Sequence, residues 1–117
     1  MNRSNLERLR DAREYAEHAL YDAGGLSAEI LAGANQPLHA ALYDLAVVGE
    51  TLNKVSSEVK GAAPDLPWKA IADLRNLIIH AYWQIDLEII AYIIEFELEP
   101  LIAELDKLIA FVERTDQ

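Results

Sequence analysis

The feature that most constrains this chain is the spacing of its apolar residues, which return every three or four positions along four long stretches. Leu6, Leu9, Ala12, Ala16, Ala19 and Ala23 form the first series, with Glu7, Arg8, Arg10, Asp11, Glu14 and Glu17 between them. On a 3.6-residue turn this pattern gathers the apolar side chains into one stripe and turns the charges outward, predicting an amphipathic helix of about five turns. Gly24-Gly25 ends it, because glycine accepts the left-handed conformation that closes a helix. Ser27 predicts the cap of a short helix reaching about Leu31. Leu38, Leu42, Leu45, Val48, Leu52, Val55 and Val59 predict a second long helix, running to about Lys60.

The breaker segment 61–67 holds Gly61, Pro64 and Pro67, with Pro67 suited to the first turn of a third helix carrying Ile71, Leu74, Ile78 and Ala81. Asp86 predicts the cap of a fourth, whose main stripe is Leu87, Ile90, Ile94, Leu98, Leu101, Leu105, Leu108 and Val112. Pro100 lies inside that run and predicts a kink or split near Glu97, since its ring removes an amide donor and clashes one turn back. Ile89, Tyr92, Ile93 and Phe96 add a second apolar patch beside the stripe. One buried face does not need them, so they predict a subunit interface.

With 117 residues, no repeat and no linker, the expectation is a single all-α domain over 1–117, an up-and-down bundle of four long helices plus one short helix. The chain has no cysteine, so its core must hold without disulfides. Twenty Asp and Glu against ten Lys and Arg give a net charge of -10, which disfavours a broad nucleic-acid-coating surface. A local basic pocket is still permitted, because screening confines each exposed charge to about 8–10 Å. Met1-Asn2-Arg3-Ser4-Asn5 leads into charged residues with no apolar segment behind it, and no stretch approaches the roughly 18 apolar residues of a membrane span. A cytoplasmic protein with no membrane association is the expectation.

Several chemistries fail on inspection. Zinc fingers need cysteine. Di-iron bundles need Glu three residues before His, where Tyr15, Gln36 and Leu77 precede His18, His39 and His80. No glycine-rich phosphate loop, cysteine nucleophile or G-x-S-x-G elbow is present. What stands out is a polar cluster within the apolar third helix: Asp73, Arg75, Asn76, His80 and Tyr82. On an ideal helix Arg75 and Tyr82 return to within about 20° of one face, and Asn76 and His80 to within about 40°. Arg75 and His80 stand about 140° apart, so they converge on one substrate only if the helix deforms or a second subunit contributes.

Arg with His suits RNA cleavage without a metal or other cofactor. An imidazole can take the proton of a ribose 2′-hydroxyl, and a guanidinium fork can neutralise charge growing on the phosphoryl oxygens. By residue type alone the structural reading takes the larger share: His80 can cap carbonyls, Arg75 can pair with Asp73 or an acidic neighbour, and Tyr82 and Trp83 are more often core or interface aromatics. Lys54, Lys60 and Lys69 are candidate phosphate contacts or solvated surface lysines. His18 and His39 read as surface residues.

The run RNLIIHAY, preceded by PDLPWKAIADL and followed by an Asp-capped helix, resembles the HepT-like ribonuclease toxins of the HEPN superfamily, whose signature is Arg, four residues, His, one residue, Tyr. Arg75, His80 and Tyr82 carry it here, with Asn76 matching the usual residue after the Arg. Val48-Gly49-Glu50 and Leu98-Glu99-Pro100-Leu101 are similar to further family features, and the likeness spans about residues 4 to 113. The resemblance implies a HEPN-like dimer or higher oligomer that cleaves RNA at a composite cleft through Arg75 and His80, with Asn76 in support. It also implies a partner nucleotidyltransferase antitoxin that transfers AMP to Tyr82. The alternative is a helical dimer that catalyses nothing and regulates a nucleotidyltransferase.

Overall fold

The first apolar stripe folds as α1 (Asn5–Asp22) in a computed structural model, which describes residues 4–115. Met1-Asn2-Arg3, on which the expectation of no leader partly rests, lies outside the described residues. The helix starts with a reciprocal cap: the Ser4 hydroxyl accepts from the Glu7 N–H at 3.1 Å and the Glu7 carboxylate accepts from the Ser4 N–H at 3.2 Å. Gly24 and Gly25, at φ 65° and 71°, end it as expected. Ser27 caps α2 (Ala28–Leu31), and the chain then reverses into α3 (Asn35–Asn53), antiparallel to α1. Ala12, Ala16 and Ala19 are fully buried and small enough to let α3 approach closely.

The predicted second helix does not run unbroken to Lys60. It stops at Asn53, and Ser56 caps a separate α4 (Ser57–Gly61), its hydroxyl accepting from the Val59 N–H at 3.3 Å. The cause is capture by α1: Arg8 donates to the Lys54 carbonyl at 2.5 Å, while Asn5 and Ser56 exchange hydrogen bonds of 3.0 and 3.1 Å. Serine competes well for such local bonds, and Val55 still reaches the core at 3% exposure.

Pro67 sits at the cap of α5 (Trp68–His80) rather than in its first turn. Ala81 falls beyond the helix end, and Tyr82–Gln84 forms a 3-10 turn. Asp86 caps α6 (Leu87–Phe96), its carboxylate accepting from the Glu88 and Ile89 N–H groups at 3.0 and 3.4 Å. Glu97 separates α6 from α7 (Leu98–Thr115), the split that Pro100 predicts. The bundle therefore has five helices of ten or more residues and two short ones among the described residues, instead of four long and one short. Among these residues no helix is long and apolar enough to cross a membrane.

In the packed bundle α1 lies between α3 and α7, and α3 lies between α1 and α5. Leu9, Leu38, Leu52, Ile90, Ile94, Leu98 and Leu105 are fully buried where these helices meet, each contributing about 1.5–3 kcal/mol. Arg10–Glu113 at 3.1 Å and the Arg13–Asp106 pair join α1 to α7 at the surface, where such pairs contribute at most about 1 kcal/mol each. The outer helix α5 has no fully buried residue, although Ile71, Leu74 and Ile78 rest half-buried on the core.

Two positions carry tests. A Cβ on Gly49 would collide with the Cβ of Arg75 and stand 3.2 Å from the Ile71 carbonyl oxygen, so only glycine allows this separation of α3 and α5. Gly49→Ala gains about 1 kcal/mol of helix propensity but overpacks the crossing by about 1–3 kcal/mol. We expect a net loss of about 1–2 kcal/mol in urea unfolding, with α5 displaced. Asp44, at 4% exposure, is held by burial, and next by a hydrogen bond and like charge from Asp22, with its carboxyl pushed up to about 7. Its Oδ2 finds no hydrogen-bond partner. An ordinary Asp pKa is near 3.9, so the folded state binds the extra proton between about pH 4 and 7, and stability falls as pH rises through that window. Asp44→Asn should flatten this dependence and raise the melting temperature at pH 8 by about 5 °C.

Candidate functional site

The motif residues sit on the outward half of α5 and the turn that follows it. Arg75 is the exception, because it points inward across the Gly49 crossing. Its Nη2 meets Glu50 Oε2 at 2.5 Å, and its Nη1 donates to Asn76 Oδ1 at 2.9 Å. Two partners thus hold the guanidinium in one orientation while leaving its side chain 24% exposed. Nε is buried and has no partner. Glu50 Oε1 also pairs with Lys54 Nζ at 3.1 Å, making a Lys54–Glu50–Arg75 chain. The Glu50 carboxyl is held below its usual range, chiefly by the Lys54 hydrogen bond and also by Arg75, with burial opposing.

Sequence reasoning offered Asp73 as a partner for Arg75, but Asp73 pairs with Lys69 at 2.6 Å, one turn away on the solvent side. Glu50 is remote in sequence and takes its place. The signal for this was Gly49, since a glycine inside an otherwise strong helix marks a close approach by another backbone.

His80 is the last residue of α5 and is exposed. It has no share in the Arg75–Asn76–Glu50 hydrogen bonds, as its position about 140° around the helix implies. Tyr82 lies in the 3-10 turn at 47% exposure, and its ring stands 6.1 Å from that of His39 with a 46° tilt. This neighbour is not legible in the sequence, because His39 belongs to the first turns of α3 and meets Tyr82 only through tertiary packing. His18 lies on α1, within 4.0 Å of Glu14 and edge-on to Tyr15.

The three lysines have local partners. Lys54 is tied to Glu50, Lys60 donates to the Asn53 carbonyl at 3.2 Å and covers the Trp68 ring at 5.8 Å, and Lys69 holds Asp73. Lys69 lies in the first turn of α5 and His80 ends it, about 16 Å apart along the axis. Residues 86–106 hold seven Asp and Glu and no Lys or Arg, and two of these acids, Glu97 and Glu104, line a groove with Ile71 and Leu74 of α5.

The family model described as ribonuclease HepT-like matches residues 5–108. A Methanocaldococcus jannaschii protein named as a candidate RNase, MJ1216, is 24% identical over 109 residues, covering 93% of this chain and 90% of its own. A second from the same organism, MJ0127, is 32% identical over 67% of this chain and 64% of its own. A candidate ribonuclease HepT of Thermococcus cleftensis is 26% identical over 59% of this chain and 63% of its own. No solved structure matches the chain at comparable significance. With almost its whole length matched by one family model, the protein belongs to the HepT-like ribonuclease family.

Proposed function

We propose that this protein is a metal-independent endoribonuclease toxin that works as a homodimer and is silenced by a nucleotidyltransferase antitoxin. The observation that carries the reading is the Arg75 guanidinium, fixed by Glu50 and Asn76 yet partly open to solvent, on the helix that ends in exposed His80. His80 takes the proton of a ribose 2′-hydroxyl. The 2′-oxygen then bonds to the adjacent phosphorus as the bond to the 5′-oxygen breaks. Arg75 neutralises the charge growing on the phosphoryl oxygens, and the His80 of the second copy protonates the leaving oxygen. Products are a 2′,3′-cyclic phosphate and a 5′-hydroxyl.

The dimer is supported by the α5 surface, which has apolar residues but none fully buried, and by exposed Ile89, Tyr92 and Phe96 on α6. Between these helices runs an open groove of about 570 Å³ lined by Leu66, Ile71, Leu74, Ile93, Phe96 and Leu101. A two-fold dimer that pairs α5 with its mate would place two Arg75 and two His80 side chains in one cleft, which their separation around the helix calls for. Exposed Tyr82 is the proposed acceptor of AMP: its phenolic O–H gives its proton to solvent, the oxygen bonds to the α-phosphorus of ATP, and the bond to the departing pyrophosphate breaks. The added phosphate pairs with Arg75 and repels RNA. Lys54, Lys60 and Lys69 are proposed to steer the RNA backbone from outside the cleft.

One observation favours a second reading, a dimer that regulates a nucleotidyltransferase without cleaving RNA: the acidic surface of residues 86–106, which suits a basic protein better than RNA. The two separate in a cleavage assay on end-labelled RNA in EDTA, using protein whose intact mass shows no added AMP. Wild type should cut and leave cyclic-phosphate ends, while His80→Ala or Arg75→Ala should lose at least about 100-fold in rate with the melting temperature kept. Folded wild type that cuts nothing gives the regulator reading. Light scattering should report twice the chain mass, and Tyr92→Glu with Phe96→Glu should return the monomer.

A further inference from the structure

The contact between His39 and Tyr82 differs from the other aromatic contacts among the described residues. Tyr15 with His18 and Tyr92 with Phe96 are neighbours one turn apart on a single helix, a proximity that helix geometry supplies by itself. His39 and Tyr82 come from different helices and meet only because α3 and α5 dock antiparallel. Rings brought together for packing alone are normally covered. Here both are exposed, Tyr82 at 47%, and the adjoining Trp83 at 78%.

The charge around this pair points the same way. The two longest stretches of the chain without Asp or Glu are residues 30–43 and 74–85. His39 lies in the first and Tyr82 in the second, together with Arg75 and His80. In a protein of net charge -10, the segments that supply these rings are those that add no carboxylate to repel a polyanion. Glu50, across the α3–α5 crossing from Arg75, is already engaged by Arg75 and Lys54.

We propose that His39 and Tyr82 form a platform on which a nucleobase next to the scissile phosphate stacks, making His39 a substrate-binding residue of the site. The inference rests on the ribonuclease function proposed above. Both rings are exposed and tilted 46° to one another, and base stacking on such side chains tolerates any sequence while holding one nucleotide in place. Seating the base fixes the neighbouring ribose and phosphate near Arg75 and His80.

The test uses an end-labelled oligoribonucleotide spanning a mapped cleavage site, and two versions with an abasic ribose on either side of the scissile phosphate. Wild type, His39→Ala and His39→Phe are compared by kcat and KM, with melting temperatures checked. His39→Ala should raise KM on intact RNA about tenfold with kcat within about twofold. His39→Phe should restore KM, and on one of the abasic substrates wild type and His39→Ala should be indistinguishable. An unchanged KM in His39→Ala, an equal loss on intact and abasic RNA, or a loss of kcat that phenylalanine does not rescue would overturn the platform. Wild type that cleaves no RNA overturns the ribonuclease function and this inference together, whereas wild type that cleaves beside an indifferent His39→Ala overturns the inference alone.

Discussion

The close crossing of α3 and α5 at Gly49 is the constraint on which the site depends. Without a side chain at that point the two backbones come near enough for Arg75 to cross onto α3, where Glu50, the next residue, receives it at 2.5 Å. An arginine left alone at this depth would bear the desolvation cost of its charge. Paired with Glu50 and Asn76, it becomes a fixed cation that keeps one edge toward solvent. The same docking fixes the angle of α5, and hence where His80 and the turn holding Tyr82 leave the bundle.

Charge is divided across the surface in a way the net value of -10 conceals. Residues 86–106 carry a concentrated acidic load on α6 and α7, while the segments around His39, Arg75, His80 and Tyr82 carry none beyond their borders. At ordinary salt each exposed charge acts over about 8–10 Å, so these local densities matter more than the total.

Much of the fold was legible because helix periodicity is a local property. The caps at Ser27 and Asp86, the glycine stop at Gly24-Gly25 and the split before Pro100 all follow from chemistry within a few residues. The break after Asn53 was not legible, because Ser56 and Lys54 are held by Asn5 and Arg8 on another helix, and the apolar spacing continues through the break to Val55. Arg75, Asn76, His80 and Tyr82 were identifiable as a cluster, since polar residues in an apolar helix are conspicuous. Their partners Glu50 and His39 were not, for neither is near them in sequence.

The sequence by itself determined that this chain is helical, where most of its helices start and stop, which faces are apolar, and which polar residues stand out within the apolar α5 stretch. Each of these depends on interactions within about one turn. Only the tertiary structure decided that Arg75 turns inward to Glu50, that His39 stands beside Tyr82, and that α5 lies outermost with its apolar surface half-covered. Those outcomes depend on how closely two helices approach and at what angle. Side-chain volumes at the crossing set both, and that sum over distant residues is not written in any one stretch of the chain.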